Sequence, residues 1–443
     1  MTPLTALMIV GIVFLIVLLL GHPLASTLGG LAVIYAATLW GNPGALNLFI
    51  RTSCSICTNI VYVSVPLFIF MGTILERSGA ADDLFGSMYI VLGRIRGGLA
   101  IAAVVMCTLL AAATGIIGAS ITLMTMLALP SMMKQNYDMK LATGTIMAAG
   151  CLGTIIPPSI ILVIYGAQAQ ISIGKLFAGG VGPGILLAVL YLAYIIFKII
   201  KDPDSAPAIA REEAAKYSTN EKVIMVLKSV LPTLSLIILV LGSIMLGWAT
   251  PTEAASLGCV GAFVLAAVNK KLSWSMIKEC CYLTMKTNAM IMYIILGASM
   301  FTSVFLGLGG GELISEVVKN LAVNRWIVVM VILFILLIMG MFIDCYGVLL
   351  IGIPIFTPIV YALGFDPIWF AIIFAVMIQA SYLSPPFAYA AFYVKGVAKE
   401  QGMEIPVGEL YQAIIPFLLL QILSLVIMAI FPSIVTWLPS KIF

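Results

Sequence analysis

The chain has 443 residues, of which 63% are hydrophobic and only 9% charged, with a mean hydropathy of +1.19; a soluble domain carries roughly a quarter charged residues. So few polar side chains cannot cover it against water, which excludes a soluble fold and implies one polytopic bundle in a lipid bilayer, counted in spans of about 20 apolar residues. Its 22 basic and 18 acidic residues give a net charge of +4 and sit in loops rather than along a stripe, which excludes nucleic acid as a partner.

In chain order, apolar segments fall near 4–21, 24–40, 58–75, 98–133, 140–166, 174–197, 226–248, 252–269, 283–306, 326–363, 367–394 and 410–437. The first has no basic residue before it and no small-residue cleavage site matched to it, so a retained span is expected. The stretch 98–133 is too long for one crossing. As a single helix it would run roughly 50 Å against a hydrocarbon core of about 30 Å. Its middle, Thr114-Gly115-Ile116-Ile117-Gly118-Ala119-Ser120, holds glycines that permit a reversal. Both flanks are basic, with Arg94 and Arg96 before it and Lys134 and Lys140 after it. A re-entrant hairpin with both ends in the cytoplasm is therefore expected. The stretch 326–363 shows the same excess and an interruption at Asp344-Cys345-Tyr346-Gly347, which reads as a second hairpin.

If the other ten segments each cross once, alternation places the amino and carboxyl termini outside. Arg51, Lys175, Lys319, Arg325 and Lys441 then fall outside and the other 17 of the 22 basic residues inside, the bias that membrane topology requires. A cytoplasmic connector, 198–225, splits the chain into 1–197 and 226–443. Each half has three spans, a hairpin, a broken span and a span. A constant offset of 228 relates Pro130 to Pro358, Asp138 to Asp366, Pro157-Pro158 to Pro385-Pro386 and Tyr165 to Tyr393. One half starts outside and the other inside, so the repeats are expected to be inverted across the membrane, as in secondary transporters.

Each double proline lies inside a segment long enough to span. Two prolines in a row remove helical donors and free carbonyls at mid-membrane, where irregular backbone survives only against protein or a wet cavity. Freed carbonyls and nearby hydroxyls suit Na⁺, and exposed helix amino ends suit an anion; the alternative is a plain kink. Asp344 is the acidic residue within the apolar run of the second hairpin. It reads as a cation ligand or proton carrier, or as a helix cap at a wet tip. Thr114 and Ser120 offer hydroxyls in the first hairpin. Thr250-Pro251-Thr252-Glu253 reads as a capping box, so Glu253 is structural. His22 is expected at the interface, and Cys54 and Cys57 form an isolated CxxC without the second ligand pair a zinc site needs. No HExxH, GxSxG or P-loop pattern occurs, against a metalloprotease, a serine hydrolase of that type or a nucleotide-driven pump.

Several segments carry a family resemblance. Val65-Pro66-Leu67-Phe68-Ile69-Phe70-Met71-Gly72, Glu76-Arg77-Ser78-Gly79, Gly118-Ala119-Ser120 with Leu129-Pro130, and Gly150 to Ser159 through Ile156-Pro157-Pro158 are similar to the large membrane (DctM-type) subunit of tripartite ATP-independent periplasmic (TRAP) transporters. The likeness extends over essentially the whole chain. It implies an all-α polytopic fold working as an elevator, with scaffold and transport domains, in the bacterial or archaeal cytoplasmic membrane. It implies two or more Na⁺ ions and no organic cofactor, a small four-helix membrane subunit, and a periplasmic binding protein that delivers an organic acid such as a dicarboxylate, sialic acid or sulfonate. Sodium sites at each hairpin tip and its broken helix would involve Thr114, Gly153, Ile156 and Pro158, then Asp344, Ser381 and Ser384. The substrate anion would meet Ser120, Ser159, Gly347, Pro386 and Lys395, although Lys395 also reads as a snorkelling anchor. A stand-alone Na⁺- or H⁺-coupled anion carrier and an integral membrane enzyme remain the alternatives from the residues alone.

Overall fold

The computed structural model describes residues 3–40, 44–115, 117–209, 218–313 and 324–443, and these are helical throughout with no strand. The first half contains α1 (Pro3–Leu19), α2 (Leu24–Tyr35), α3 (Ala45–Thr58), α4 (Ser64–Arg77), α5 (Ala80–Leu92), α6 (Gly98–Thr114), α7 (Ile117–Lys134), α8 (Met139–Gly150), α9 (Ile160–Ala169) and α10 (Ile173–Lys201). The second contains α11 (Thr219–Met245), α12 (Pro251–Val268), α13 (Trp274–Gly307), α14 (Arg325–Phe342), α15 (Cys345–Ala362), α16 (Pro367–Leu383), α17 (Tyr389–Glu400), α18 (Val407–Ile430) and α19 (Ser433–Ile442). Among the described residues, nine helices are long and apolar enough to cross a membrane.

Helix ends follow local chemistry. The Asp138 carboxylate accepts from Lys140 N at 2.9 Å to start α8. Asp366 accepts from Ile368 N and Trp369 N at 2.8 and 2.9 Å to start α16, with Pro367 opening the first turn. The capping box at Thr250 and Glu253 forms as its sequence requires. Both overlong stretches fold into helix pairs, α6 with α7 and α14 with α15. The offset of 228 carries the bounds of α7 onto those of α15.

Both double prolines interrupt helices and contain a cis bond, Pro157–Pro158 between α8 and α9 and Pro385–Pro386 between α16 and α17. These interrupted helices form the centre of the molecule. Every residue from Leu141 to Gly150 and from Trp369 to Leu383 is buried, which is how an all-round apolar helix is satisfied. Peripheral helices instead turn large apolar side chains outward, among them Ile12 and Ile16 on α1, Ile238 on α11 and Phe334 on α14. The two halves interleave. Gly29 of α2 faces Gly297 of α13 so closely that a Cβ on Gly297 would lie 2.5 Å from the Ala25 carbonyl, the small-residue packing typical of membrane helices. The Trp369 indole donates to the Met428 carbonyl at 2.9 Å, tying α16 to α18.

The helix bounds depart from the sequence expectation in five places, the first being α3, Ala45–Thr58, where no segment was expected. The segment expected at 283–306 belongs to a 34-residue helix that begins at Trp274. Its first turns carry Lys278, Glu279 and Lys286 and so escape a hydropathy reading; Glu279 pairs with Arg77 of α4. The chain between the third span and the first hairpin forms α5, which buries Leu84, Phe85 and Met88 while Asp82 and Asp83 stay exposed in its first turn, favourable to the helix dipole. The expected final span 410–437 breaks at Phe431–Pro432 into α18 and α19, because proline cannot donate the next helical bond. The connector 198–225 is shorter than its charge content indicated, since α10 runs to Lys201 and α11 starts at Thr219 on a Ser218–Glu221 capping box. Its described part is strapped to neighbouring loops: Asp138 N donates to Ser205 O at 2.8 Å, Gly97 N to Ala206 O at 2.9 Å and Ile209 N to Gly93 O at 2.8 Å.

Candidate functional site

At the second hairpin, Asp344 caps α15, its carboxylate accepting from Tyr346 N at 3.1 Å. The side chain is partly buried. Opposite stands the end of α16, where buried Ser381 and Ser384 donate to the carbonyls of Ile378 and Ala380 at 2.7 and 2.9 Å. The first arm of the hairpin presses on this region, since a Cβ on Gly340 would fall 2.0 Å from Ser381 Oγ. Tyr346, Tyr382, Tyr389 and Tyr393 all lie within electrostatic range of Asp344. Tyr382 stacks on Tyr389 at 5.1 Å, Phe387 lies 6.2 Å from Tyr389, and Phe342 of α14 meets Phe387 at 6.0 Å. A lone carboxylate thus sits under aromatic and phenolic cover, with its charge steadied by the helix start it caps.

The first hairpin mirrors this arrangement in part. Its tip residue Gly115 adopts φ +62°, and a Cβ there would stand 3.0 Å from the Pro158 carbonyl; that backbone is one only glycine takes easily. The carbonyls of Ile156 and Pro158 accept no hydrogen bond among the described residues. Gly153 is buried in the helical turn Cys151–Thr154, and Ile156 packs against Gly184 of α10. Ser159 is buried; its hydroxyl donates to Thr154 O at 2.6 Å and accepts from Leu162 N at 3.4 Å, capping α9. Ser120 is buried on α7. The Thr114 side chain lies outside the described residues.

Three contacts join the two halves of the chain. Tyr393 of α17 packs on Gly118 of α7, where a Cβ would come within 2.9 Å of the ring. Tyr165 of α9 meets Thr357 of α15 hydroxyl to hydroxyl at 3.0 Å. Between the broken helices, the Thr154 hydroxyl lies 3.1 Å from Gln379 Oε1 and 3.0 Å from Cys151 O, and its one proton serves one of them at a time. Gln421 donates to Tyr191 at 3.0 Å nearby. Gln379 Nε2 and Gln421 Oε1 have no partner among the described residues, a demanding state for buried amides.

Not every expected residue joins this centre. Gly347 is filled against α2, a Cβ there standing 2.0 Å from Leu24 Cδ2. Pro386 is exposed and its carbonyl accepts from the Tyr411 hydroxyl. Lys395 is exposed on α17. Sequence reasoning missed the tyrosine cover, Gln379 and Gln421; the signal available was the set Tyr382, Tyr389 and Tyr393 flanking the double proline. Chemically, the centre offers hydroxyls, free carbonyls and one carboxylate, and no group of three or more His, Cys, Asp or Glu side chains among the described residues gathers as for a transition metal. An all-oxygen set of this kind fits a hard cation.

Two helix pairs thus meet two interrupted helices, with oxygen donors at each meeting. Residues 11–434 match the protein family described as tripartite ATP-independent periplasmic transporter, DctM component. The chain belongs to this DctM family. It is 32% identical over 379 residues to the C4-dicarboxylate TRAP transporter large permease protein DctM of Pseudomonas aeruginosa, covering 85% of this chain and 86% of that one. Its identity to the protein of the same description from Vibrio cholerae is 30% over 459 residues, 98% of each. The fold is similar to the crystal structure of the Alcanivorax borkumensis YdaH transporter, with a TM-score of 0.64 at 15% identity, over 96% of this chain and 98% of that one. This DctM-family chain is therefore a multi-pass membrane protein whose relatives are permeases, which points away from an enzyme.

Proposed function

We propose that the chain is the permease subunit of a Na⁺-coupled TRAP system that imports a small organic acid by an elevator movement. The observation that carries this reading is that each hairpin meets its own broken helix beside oxygen donors, Gly115 against the Pro158 carbonyl and Gly340 against Ser381, while Thr154 and Gln379 bridge the two broken helices. In this reading the two halves are inverted repeats, supported by the shared offset and the matching bounds of α7 and α15. Helices α6 to α9 and α14 to α17 form the moving body, and α1 to α5 with α11 to α13 the scaffold. The termini lie outside the bacterial inner membrane.

Na⁺ is cargo. One ion is held between Asp344, Ser381 and Ser384, and another between Thr114, Gly153, Ile156 and Pro158. Each ion offsets buried oxygen charge and holds a hairpin against its broken helix, organising an anion pocket beside Ser120 and Ser159. A small four-helix membrane subunit and a periplasmic binding protein complete the system. Relatives are named for C4-dicarboxylate, isethionate and ectoine, so the substrate class proposed here is a small carboxylate or sulfonate.

Asp344→Asn keeps the side chain's shape and removes its charge. The expected result in proteoliposomes, at equal protein incorporation, is loss of Na⁺-driven uptake with the complex still assembling. Ser384→Ala is expected to raise the Na⁺ concentration for half-maximal uptake. Na⁺ dependence identical to the unaltered chain in both variants would move the coupling site elsewhere.

A further inference from the structure

We infer that a second polar cavity, apart from the hairpin tips, is a receiving site for the organic anion, with Arg51 engaging its carboxylate or sulfonate; this rests on the transport reading above. The cavity holds about 470 Å³, within the range of roughly 300–1,000 Å³ of small-ligand pockets. One wall comes from α3 and α13, with Arg51, Ser55, Ser299 and Ser303; the other comes from the end of α9 and from α15, with Gln170 and Pro354. All these segments fall in the half of the molecule that the topology reading places outside.

Three features select an anion. Among the described residues, Arg51 is the sole charged side chain lining the cavity, and it makes no ion pair with them. Its planar fork of donors fits a carboxylate or sulfonate in two-point contact. The remaining polar lining is hydroxyl and amide, which donate readily, and no Asp or Glu among the described residues lines the cavity to repel the ligand. Arg51 also runs against the positive-inside bias that accounts for most of the other basic residues, so topology gives no reason for a cation there.

Position supplies the functional link. The helix that contributes Pro354 to the cavity wall starts on the Asp344 cap, about 15 Å away along the helix axis. An acid held by Arg51 is thus one short displacement from the central site, in contact with both bodies that the elevator reading moves past each other.

The test uses the full chain with its small subunit in membranes, with exposed Cys54, Cys57 and Cys281 replaced by serine. Ser303→Cys is labelled with sulfonatoethyl methanethiosulfonate, an anion, and with the trimethylammonioethyl reagent, a cation. The anion-to-cation rate ratio is expected to fall about tenfold on adding Arg51→Gln and to survive Arg51→Lys. Isethionate is expected to slow anion labelling when Arg51 is present and not in the glutamine variant. A ratio unaffected by Arg51→Gln, at position 303 and also at Ser55→Cys, overturns the inference, as does failure of both positions to react. Na⁺-driven uptake by the serine-replaced background, supplied with its acid-loaded periplasmic binding protein, is measured alongside. Intact uptake with an unchanged ratio removes this inference alone, whereas absent uptake removes the transport reading whatever the labelling shows.

Discussion

Gly340→Ala tests whether the hairpin and its broken helix meet as closely as the structure requires. The added Cβ would stand 2.0 Å from Ser381 Oγ and 2.4 Å from Ser381 Cβ, separations that no pair of atoms keeps. Alanine gains about 1 kcal/mol of helix propensity over glycine. Against that, overpacking a fitted contact costs about 1–3 kcal/mol, and driving the serine off the Ile378 carbonyl, 2.7 Å away, costs about 1 kcal/mol more. The balance is a net loss of about 2 kcal/mol. Gly396→Ala is the control, because its Cβ would meet nothing within 4 Å and keeps the propensity gain. Thermal unfolding of the assembled complex in detergent should place Gly340→Ala below the unaltered chain and Gly396→Ala at or above it. A Na⁺ titration of uptake should shift only for Gly340→Ala. Equal melting and equal Na⁺ dependence for the two variants would refute close packing of the hairpin on Ser381.

Thr154→Val strands the Gln379 amide oxygen between the broken helices and should destabilise the complex by about 1–3 kcal/mol, while Thr154→Val with Gln379→Leu should recover most of the loss, because removing both partners is milder than orphaning one. Additive losses in the double variant, followed by thermal unfolding, would contradict that coupling. Asp204→Cys, on the exposed part of the connector, should be labelled by membrane-impermeant thiol reagents only from the cytoplasmic side, and labelling in intact cells would reverse the orientation.

Hydropathy and proline placement made the architecture readable because they report backbone geometry directly. An overlong apolar run must turn, and Pro157-Pro158 and Pro385-Pro386 must interrupt a helix wherever they fall. The capping box at Thr250 and Glu253 was legible for the same local reason, whereas Asp138 and Asp366 were read only as repeat partners and prove to be helix caps. Amphipathic α5 and the charged start of α13 were not, since their apolar faces are diluted by Asp82, Asp83, Lys278 and Glu279 in a window average. Within the site, Asp344 stood out as a charge in an apolar run, whereas its tyrosine neighbours depend on bringing Tyr346 of one element near Tyr382, which stacks on Tyr389 of another. Gly347 illustrates the limit of local reading, because its contact is with Leu24, more than 300 residues away in the chain.

The central claim, Na⁺-coupled import that depends on a delivering partner, is tested most directly by reconstituting this chain with its small subunit. Uptake of the radiolabelled acid found in the cognate binding protein is then measured under an inward Na⁺ gradient. The predicted result is accumulation only when both the gradient and the loaded binding protein are present. Accumulation of the free acid without the binding protein, or at equal rate without Na⁺, would contradict it.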